Sequence, residues 1–449
     1  MLTGGAGTGA QLELASLHAL GVNTVTVAIG FPILYQPFDA FDYQGYLSFY
    51  KQLAVNIHAA GMKMVVETGV VDVPGYCPTL ADPMYLAGRA QQILTIAREI
   101  QPDYLVIAEE PDTEAETTGK PFIATVPGFS SMVDIFLSQL NSAGFTTTNV
   151  GAGVGTWIDN AQGYIQALAA KSRLSFIDLH VYPVDRTFLT DTITLIDLAQ
   201  SAGKPVTMCE AWLEKRREAE FTGVAVTTND SISARDPFSF WAPLDQQFLT
   251  AFAKLAWWKQ LKVFSPFWSG YFHAYLSAYD SIAPDQILAD ASAVASTAIM
   301  NGQYTSTGLA YQSVVSATAV SAASFVPGPV APDSMVSIFG IALAPSTVTG
   351  PIPLQTSLAG TTVTFTDSAG AAAAIVVRTG IRGRNALTDV QVSVGGVLVT
   401  PQYAGAQPQY PGMDQVNILL PPALAGRGAL TIDLSVAGQH ANPVAINVK

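Results

Sequence analysis

Histidine is scarce in this chain, five among 449 residues, and the five are scattered at His18, His58, His180, His273 and His440. No HExxH pair and no cysteine cluster accompanies them, so no metal and no cofactor are expected. A Gly-x-Ser-x-Gly elbow and a phosphate-binding loop are also missing, which removes the common serine hydrolases and nucleotide enzymes. The only cysteines, Cys77 and Cys209, lie far apart, with Cys209 inside an apolar run. Two buried free thiols fit that placement better than a disulfide, and they leave the redox compartment open. Charge is sparse at 12% and biased to acid, 34 against 21 basic residues. The formal charge of −13 disfavours nucleic acid and anionic lipid as partners and leaves neutral ligands open. No stretch approaches the roughly 18 consecutive apolar residues of a membrane span. The opening MLTGGAGTGA has neither a basic segment nor an apolar one. No signal peptide is read there, and a leader is expected upstream of Met1 if the protein is exported.

What is abundant is apolar surface, 49% of residues. A large core is therefore expected, and 449 residues exceed what one core usually serves. Up to about residue 300, β-branched runs alternate with stretches of helical period. The strand candidates are TVTVAIG (24–30), KMVVET (63–68), YLVIAE (104–109), NVGAGV (149–154), FIDLHVY (176–182), PVTMCE (205–210) and KVFSPFW (262–268). Helices are expected between them, as at 84–100 and 132–143, several ending on glycine. Repeated strand–helix units predict parallel strands. Polar residues at every strand's C-terminal end favour a (β/α)8 barrel over an open sheet. The glycine-rich start follows no strand and is read as a flexible terminus, with a helix from residue 11. Near residue 315 helical period gives way to Pro, Gly, Val, Thr and Ser. The expected division is a barrel over 1–314 and a small Ig-like β-sandwich over 315–449.

Three of these strands end on glutamate: Glu67, then Glu109 with Glu110, then Glu210. A carboxylate after a buried strand costs desolvation energy unless it is paired or used. Two carboxyls about 5–5.5 Å apart are what retaining glycosidic cleavage needs, one as acid/base and one as nucleophile. Strand ends three positions apart face each other across a barrel mouth. Glu67 is a candidate for a sugar hydroxyl or for a structural pairing. Aromatics that fall at strand ends or in the loops after them, Tyr35 and Trp212 among them, offer faces on which sugars stack. Residues 213–244 form a long connection expected to shape a cleft.

The segment Ala108-Glu109-Glu110-Pro111 resembles the Asn-Glu-Pro motif of glycoside hydrolase clan A, the retaining (β/α)8-barrel glycosidases. The resemblance implies Glu110 as proton donor and Glu210, three strands later, as nucleophile. His180-Val181-Tyr182 fits the clan's segment in which an aromatic bonds the nucleophile, and Trp268 fits its sugar-site floor. Glu109 stands where the clan has the Asn that binds the sugar 2-hydroxyl. This register makes TVTVAIG the second strand, so the first is expected ahead of Met1 and a gap between the 24–30 and 262–268 strands. The implied activity is double-displacement hydrolysis of β-linked oligo- or polysaccharides, with a transglycosylase or a non-catalytic carbohydrate-binding protein as alternatives. The stretches Ser321–Phe325, Val330–Gly340 and Tyr403–Asn417 resemble an uncharacterised C-terminal domain of secreted acidobacterial proteins, which implies export.

Overall fold

A computed structural model describes residues 5–38, 42–71, 73, 75–221, 230–277 and 283–315. Beyond these it describes 318–321, 336–339, 364–366, 372–374, 387–406, 414–436, 439–440 and 444–448. The chain divides into two compact units, Met1–Ser316 and Ala317–Lys449.

The first unit alternates strands and helices. Helix α1 (Ala6–Ala19) precedes β1 (Thr24–Ala28), followed by α2 (Tyr43–Ala59), β2 (Lys63–Glu67), α3 (Tyr76–Thr79) and α4 (Asp82–Thr95). A wider π turn over Ile96–Ile100 continues α4 into β3 (Tyr104–Val106). Then come α5 (Pro111–Thr118), α6 (Val126–Ser142), β4 (Val150–Gly155), α7 (Ala161–Ala169), β5 (Phe176–Val181), α8 (Phe188–Ser201) and β6 (Val206–Ala211). The unit closes with α9 (Asp230–Ser233), α10 (Ala242–Trp258), β7 (Phe264–Pro266), α11 (Pro284–Met300) and α12 (Ser306–Val315). The strands pair in parallel in chain order, β1 to β7. Every residue of β4 and β5 is buried, as expected when helices cover the outer face and side chains fill the inner one. The predicted glycine stops hold where Gly61 and Gly203 take positive φ just beyond α2 and α8.

The glycine-rich start corrects one expectation: residues 6–10 belong to α1 rather than to a flexible terminus. Leu14 and Leu17 are buried, and a helix anchored on such a face extends outward one residue at a time.

The strand count agrees with the seven read from sequence, and the barrel is nearly closed. No ladder joins β1 to β7 among the described residues. The expected gap is narrow, because Thr26 Oγ1 donates to Ser265 Oγ at 3.0 Å across it. The helical ring is continuous there, since α1 packs against both α2 and α11. Gln312 of α12 also donates to the Ala19 carbonyl at 2.9 Å.

The second unit is antiparallel and all-β. Its main sheet comprises Val390–Val394, Val397–Val399, Gly428–Val436, Gln439–His440 and Val444–Val448. Val390, Val392 and Val394 alternate into a small separate core with Val399, Ala404 and Leu424. Within 322–386 the structure describes the short strands Val336–Phe339, Thr364–Thr366 and Ala372–Ala374, and the remaining residues lie outside the described set.

Candidate active site

Strand geometry assembles the site. In a strand, residues two apart share a face, so Asp178 and His180 of β5 both point into the barrel. His180 pairs in register with Glu210 of β6. Glu67 is the last residue of β2, and Glu109 and Glu110 follow β3. Glu110 has a left-handed backbone, φ 41° and ψ 69°, at the N-terminus of α5, whose first residue is Pro111. A non-glycine residue held there costs about 1–3 kcal/mol, strain of the kind that clusters at functional positions.

These five carboxylates surround one imidazole. His180 Nδ1 lies 2.8 Å from Glu110 Oε1 and 3.5 Å from Glu210 Oε2. Its Nε2 lies 3.1 Å from Glu67 Oε1, 3.2 Å from Asp178 Oδ2 and 4.0 Å from Glu109 Oε2. The Tyr182 hydroxyl donates to Glu210 Oε2 at 2.9 Å. Among the described residues, His180 is the one basic side chain within 4.0 Å of any of the five. Burial opposes its charge, yet Glu210, Asp178, Glu110 and Glu67 together hold the imidazolium well above the usual histidine range. Burial also pushes Glu210 up to about 8, against the pull of His180 and with Glu67 and Glu110 adding to the rise. Glu67 is raised by burial, and Glu109 well above its ordinary value by burial and by Glu67 beside it.

The surroundings fix these positions. Asp178 Oδ1 accepts from Thr207 Oγ1 at 2.5 Å and from the Cys209 amide at 3.2 Å. Arg89 of α4 is wholly buried and donates to the carbonyls of Thr68 and Ile107, just past β2 and β3, and to Glu114 of α5. One guanidinium thereby ties together the two strand ends and the helix that carry Glu67, Glu109 and Glu110. Trp157 Nε1 donates to Asp112 Oδ2 at 2.8 Å, and its ring meets Tyr182 with centroids 5.8 Å apart. At Gly69 an added Cβ would lie 2.3 Å from Glu109 Oε1, so the absent side chain is the slot in which that carboxylate sits.

The structure therefore brings together Glu67, Glu109, Glu110, His180, Tyr182 and Glu210. Trp212 differs from its expected role: it is wholly buried against Phe248 and Tyr271 and offers no face to a ligand. Lys215 lies over its ring and pairs with Asp245 at 2.6 Å, so the start of the long 213–244 connection is core; residues 222–229 lie outside the described set. Trp268 is half-buried beyond β7, in contact with Phe267, whose ring approaches Tyr182. Tyr35 is half-buried against Phe31, beyond β1. Sequence reasoning missed Asp178, although the alternation of FIDLHV places it on the face of His180. Two sets, Glu67 with Asp178 and His180, and Glu110 with His180 and Glu210, have donor atoms within 4.8 Å of one another and could meet at a metal ion. No helix among the described residues is long and apolar enough to cross a membrane.

The chain matches no protein-family model and no curated protein. Among solved structures it resembles a GH5_18 protein from Bifidobacterium longum subsp. longum in complex with Manβ1-4GlcNAc. That match has 13% identity, covers 68% of this chain and 72% of that one, and has a TM-score of 0.46. It also resembles a GH113 β-mannanase from Alicyclobacillus acidocaldarius, with 13% identity, 64% and 92% coverage and a TM-score of 0.39. A rice β-glucosidase follows, with 12% identity, 57% and 78% coverage and a TM-score of 0.39. Likenesses of this size identify no family for the chain.

Proposed function

We propose that the barrel is a retaining glycoside hydrolase acting on β-linked glycosides, with Glu110 as acid/base and Glu210 as nucleophile. The observation that carries this is the pair itself: an oxygen of each carboxylate lies within 4.8 Å of the other, on strand ends three apart, with one imidazole nitrogen between them. That approach is closer to the roughly 5–5.5 Å of retaining pairs than to the roughly 6.5–9.5 Å of inverting ones, and it suits direct attack on the anomeric carbon. Glu110 protonates the leaving oxygen while Glu210 forms the glycosyl ester. A water deprotonated by Glu110 then hydrolyses the ester.

The reaction needs Glu210 ionised and Glu110 protonated. In the empty site Glu210 holds its proton up to about pH 8. His180 Nδ1 lies 2.8 Å from Glu110 and 3.5 Å from Glu210. Tyr182 steadies the Glu210 anion. Trp268 and Tyr35, half-buried beyond their strands, are the aromatic faces for a sugar ring. The all-β unit as a sandwich, and export of the whole chain, belong to the same proposal.

Glu210→Ala tests it. Turnover of aryl β-glycosides should fall to near background, and azide should restore part of it by occupying the vacated space and attacking the anomeric carbon. Unchanged turnover would remove Glu210 as nucleophile.

A further inference from the structure

Glu110 holds its left-handed backbone just where the regular sheet has ended. The ladder between β3 and β4 closes with the Gly153 amide donating to the Ala108 carbonyl at 2.9 Å. Pro111, directly after Glu110, has no amide hydrogen to give. The first side-chain tether past Glu110 is Asp112, whose Oδ2 accepts from Trp157 Nε1 at 2.8 Å. The strained residue is thus bracketed on both sides, and both brackets come from one place. Gly153 lies within β4, and Trp157 lies two residues past its end. Trp157 is itself firmly seated. The Thr156 amide before it donates to the His180 carbonyl at 3.0 Å. Its indole folds back over Gly155, where an added Cβ would lie 2.3 Å from the ring, and the residue is 7% exposed. The same ring meets Tyr182, which donates to Glu210. A backbone in a sparsely populated conformation persists only where its surroundings over-determine it.

We propose that Trp157 is a positioning residue for the acid/base: its indole N–H, through Asp112, fixes the first turn of α5 and so the direction in which Glu110 presents its carboxyl. Proton transfer to a leaving oxygen requires hydrogen-bond reach, and a misplacement of about 1 Å costs on the order of 100-fold. Glu210 does not depend on this tether, since it sits in β6 with its own ladder to β5. Loss of the indole N–H therefore separates the two half-functions. Protonation of the leaving group suffers, and so does activation of the water that hydrolyses the ester. Attack by Glu210 does not. An indole N–H is a donor only, so Asp112 is the acceptor of this bond, and an amide oxygen in its place is an acceptor too.

This inference rests on the glycosidase reading, and the test separates the two. The full chain is assayed on two β-glycosides of the sugar that the wild type turns over fastest. One has an alkyl leaving group, whose oxygen needs a proton, and the other a dinitrophenyl group, which departs without one. kcat/KM reports formation of the glycosyl ester. Asp112→Ala and Trp157→Phe should lower it about 10- to 100-fold on the alkyl substrate and less than about 3-fold on the dinitrophenyl substrate. On the dinitrophenyl substrate azide should raise kcat in both variants and not in the wild type, because azide attacks the ester without a base. Asp112→Asn keeps an acceptor for the indole and should recover the alkyl activity to within about three-fold of the wild type. An equal loss on both substrates would mean that the tether supports the site as a whole, which would overturn the inference and leave the glycosidase reading intact. Unchanged alkyl activity in Asp112→Ala and Trp157→Phe, or an Asp112→Asn as slow as Asp112→Ala, would do the same. Absence of Glu210-dependent hydrolysis on either substrate would overturn both.

Discussion

Tyr182→Phe isolates one interaction of the proposed nucleophile. The mutation removes a hydroxyl that donates to Glu210 Oε2 at 2.9 Å and keeps the ring, which packs against Trp157 and Phe267. A hydrogen bond to an ionised group contributes about 1.5–3 kcal/mol. At about 1.4 kcal/mol per pH unit, that corresponds to a shift of roughly one to two units. The direction follows from the forces on Glu210: burial raises it, His180 and the Tyr182 hydroxyl lower it, and the balance lies at about 8. Removing the hydroxyl strips one of the lowering forces, so the carboxylate ionises later. The acid limb of the kcat/KM profile, expected near pH 8 in the wild type, should move to higher pH. Activity at pH 7 should fall about 10- to 100-fold, with the deficit shrinking above pH 9. The assay is a full pH profile of both proteins on one aryl glycoside, beside a melting curve that should differ little. A limb that stays in place while activity falls equally at every pH would refute the assignment of Tyr182 as the group that holds Glu210 ionisable.

Other expectations follow from the same geometry. Because Glu210 titrates higher folded than unfolded, its contribution to stability is present below about pH 4.5 and is lost as pH rises through about 8. Glu210→Gln should therefore raise the melting temperature at pH 8 to 9 and change it little at pH 4.5. Glu114→Ala leaves Arg89 buried without its carboxylate and should cost about 3–5 kcal/mol in denaturant unfolding. Gly153→Ala puts a Cβ 2.1 Å from the Asp178 carbonyl of the neighbouring strand and should destabilise by about 1–3 kcal/mol or prevent folding. Deleting residues from 317 onward should leave turnover of a small aryl glycoside within about two-fold of the full chain, since the barrel has its own core.

Most of the barrel strands were legible as short apolar runs ending at a polar residue, a composition that burial on both faces imposes on the central strands β4 and β5. The glutamates were legible for the same reason, as charges where a parallel strand should remain apolar. Asp178 was not, since it lies mid-strand and its significance depends on a histidine two residues on becoming the hub of the cluster. Trp212 misled because position after a strand says nothing of which way a ring turns; here Lys215 and Tyr271 draw it inward. The role of Arg89 was invisible from sequence, because its partners at Thr68, Ile107 and Glu114 come from three separate elements. The helical start at residues 6–10 was misread because local glycine content outweighed the anchoring supplied by Leu14 and Leu17.

The absent ladder between β1 and β7 has a mechanical corollary. A sheet that pairs from β1 to β7 and stops is a split ring, and a split ring flexes at its slit while the arc opposite keeps its shape. Glu110, His180 and Glu210 all ride on the arc from β3 to β6, where each strand is laddered on both sides. Tyr35 and Trp268 follow the two strands that flank the slit. Breaking the Thr26–Ser265 hydrogen bond across the slit would let Tyr35 and Trp268 part while the spacing of the carboxylates on the opposite arc stays unchanged.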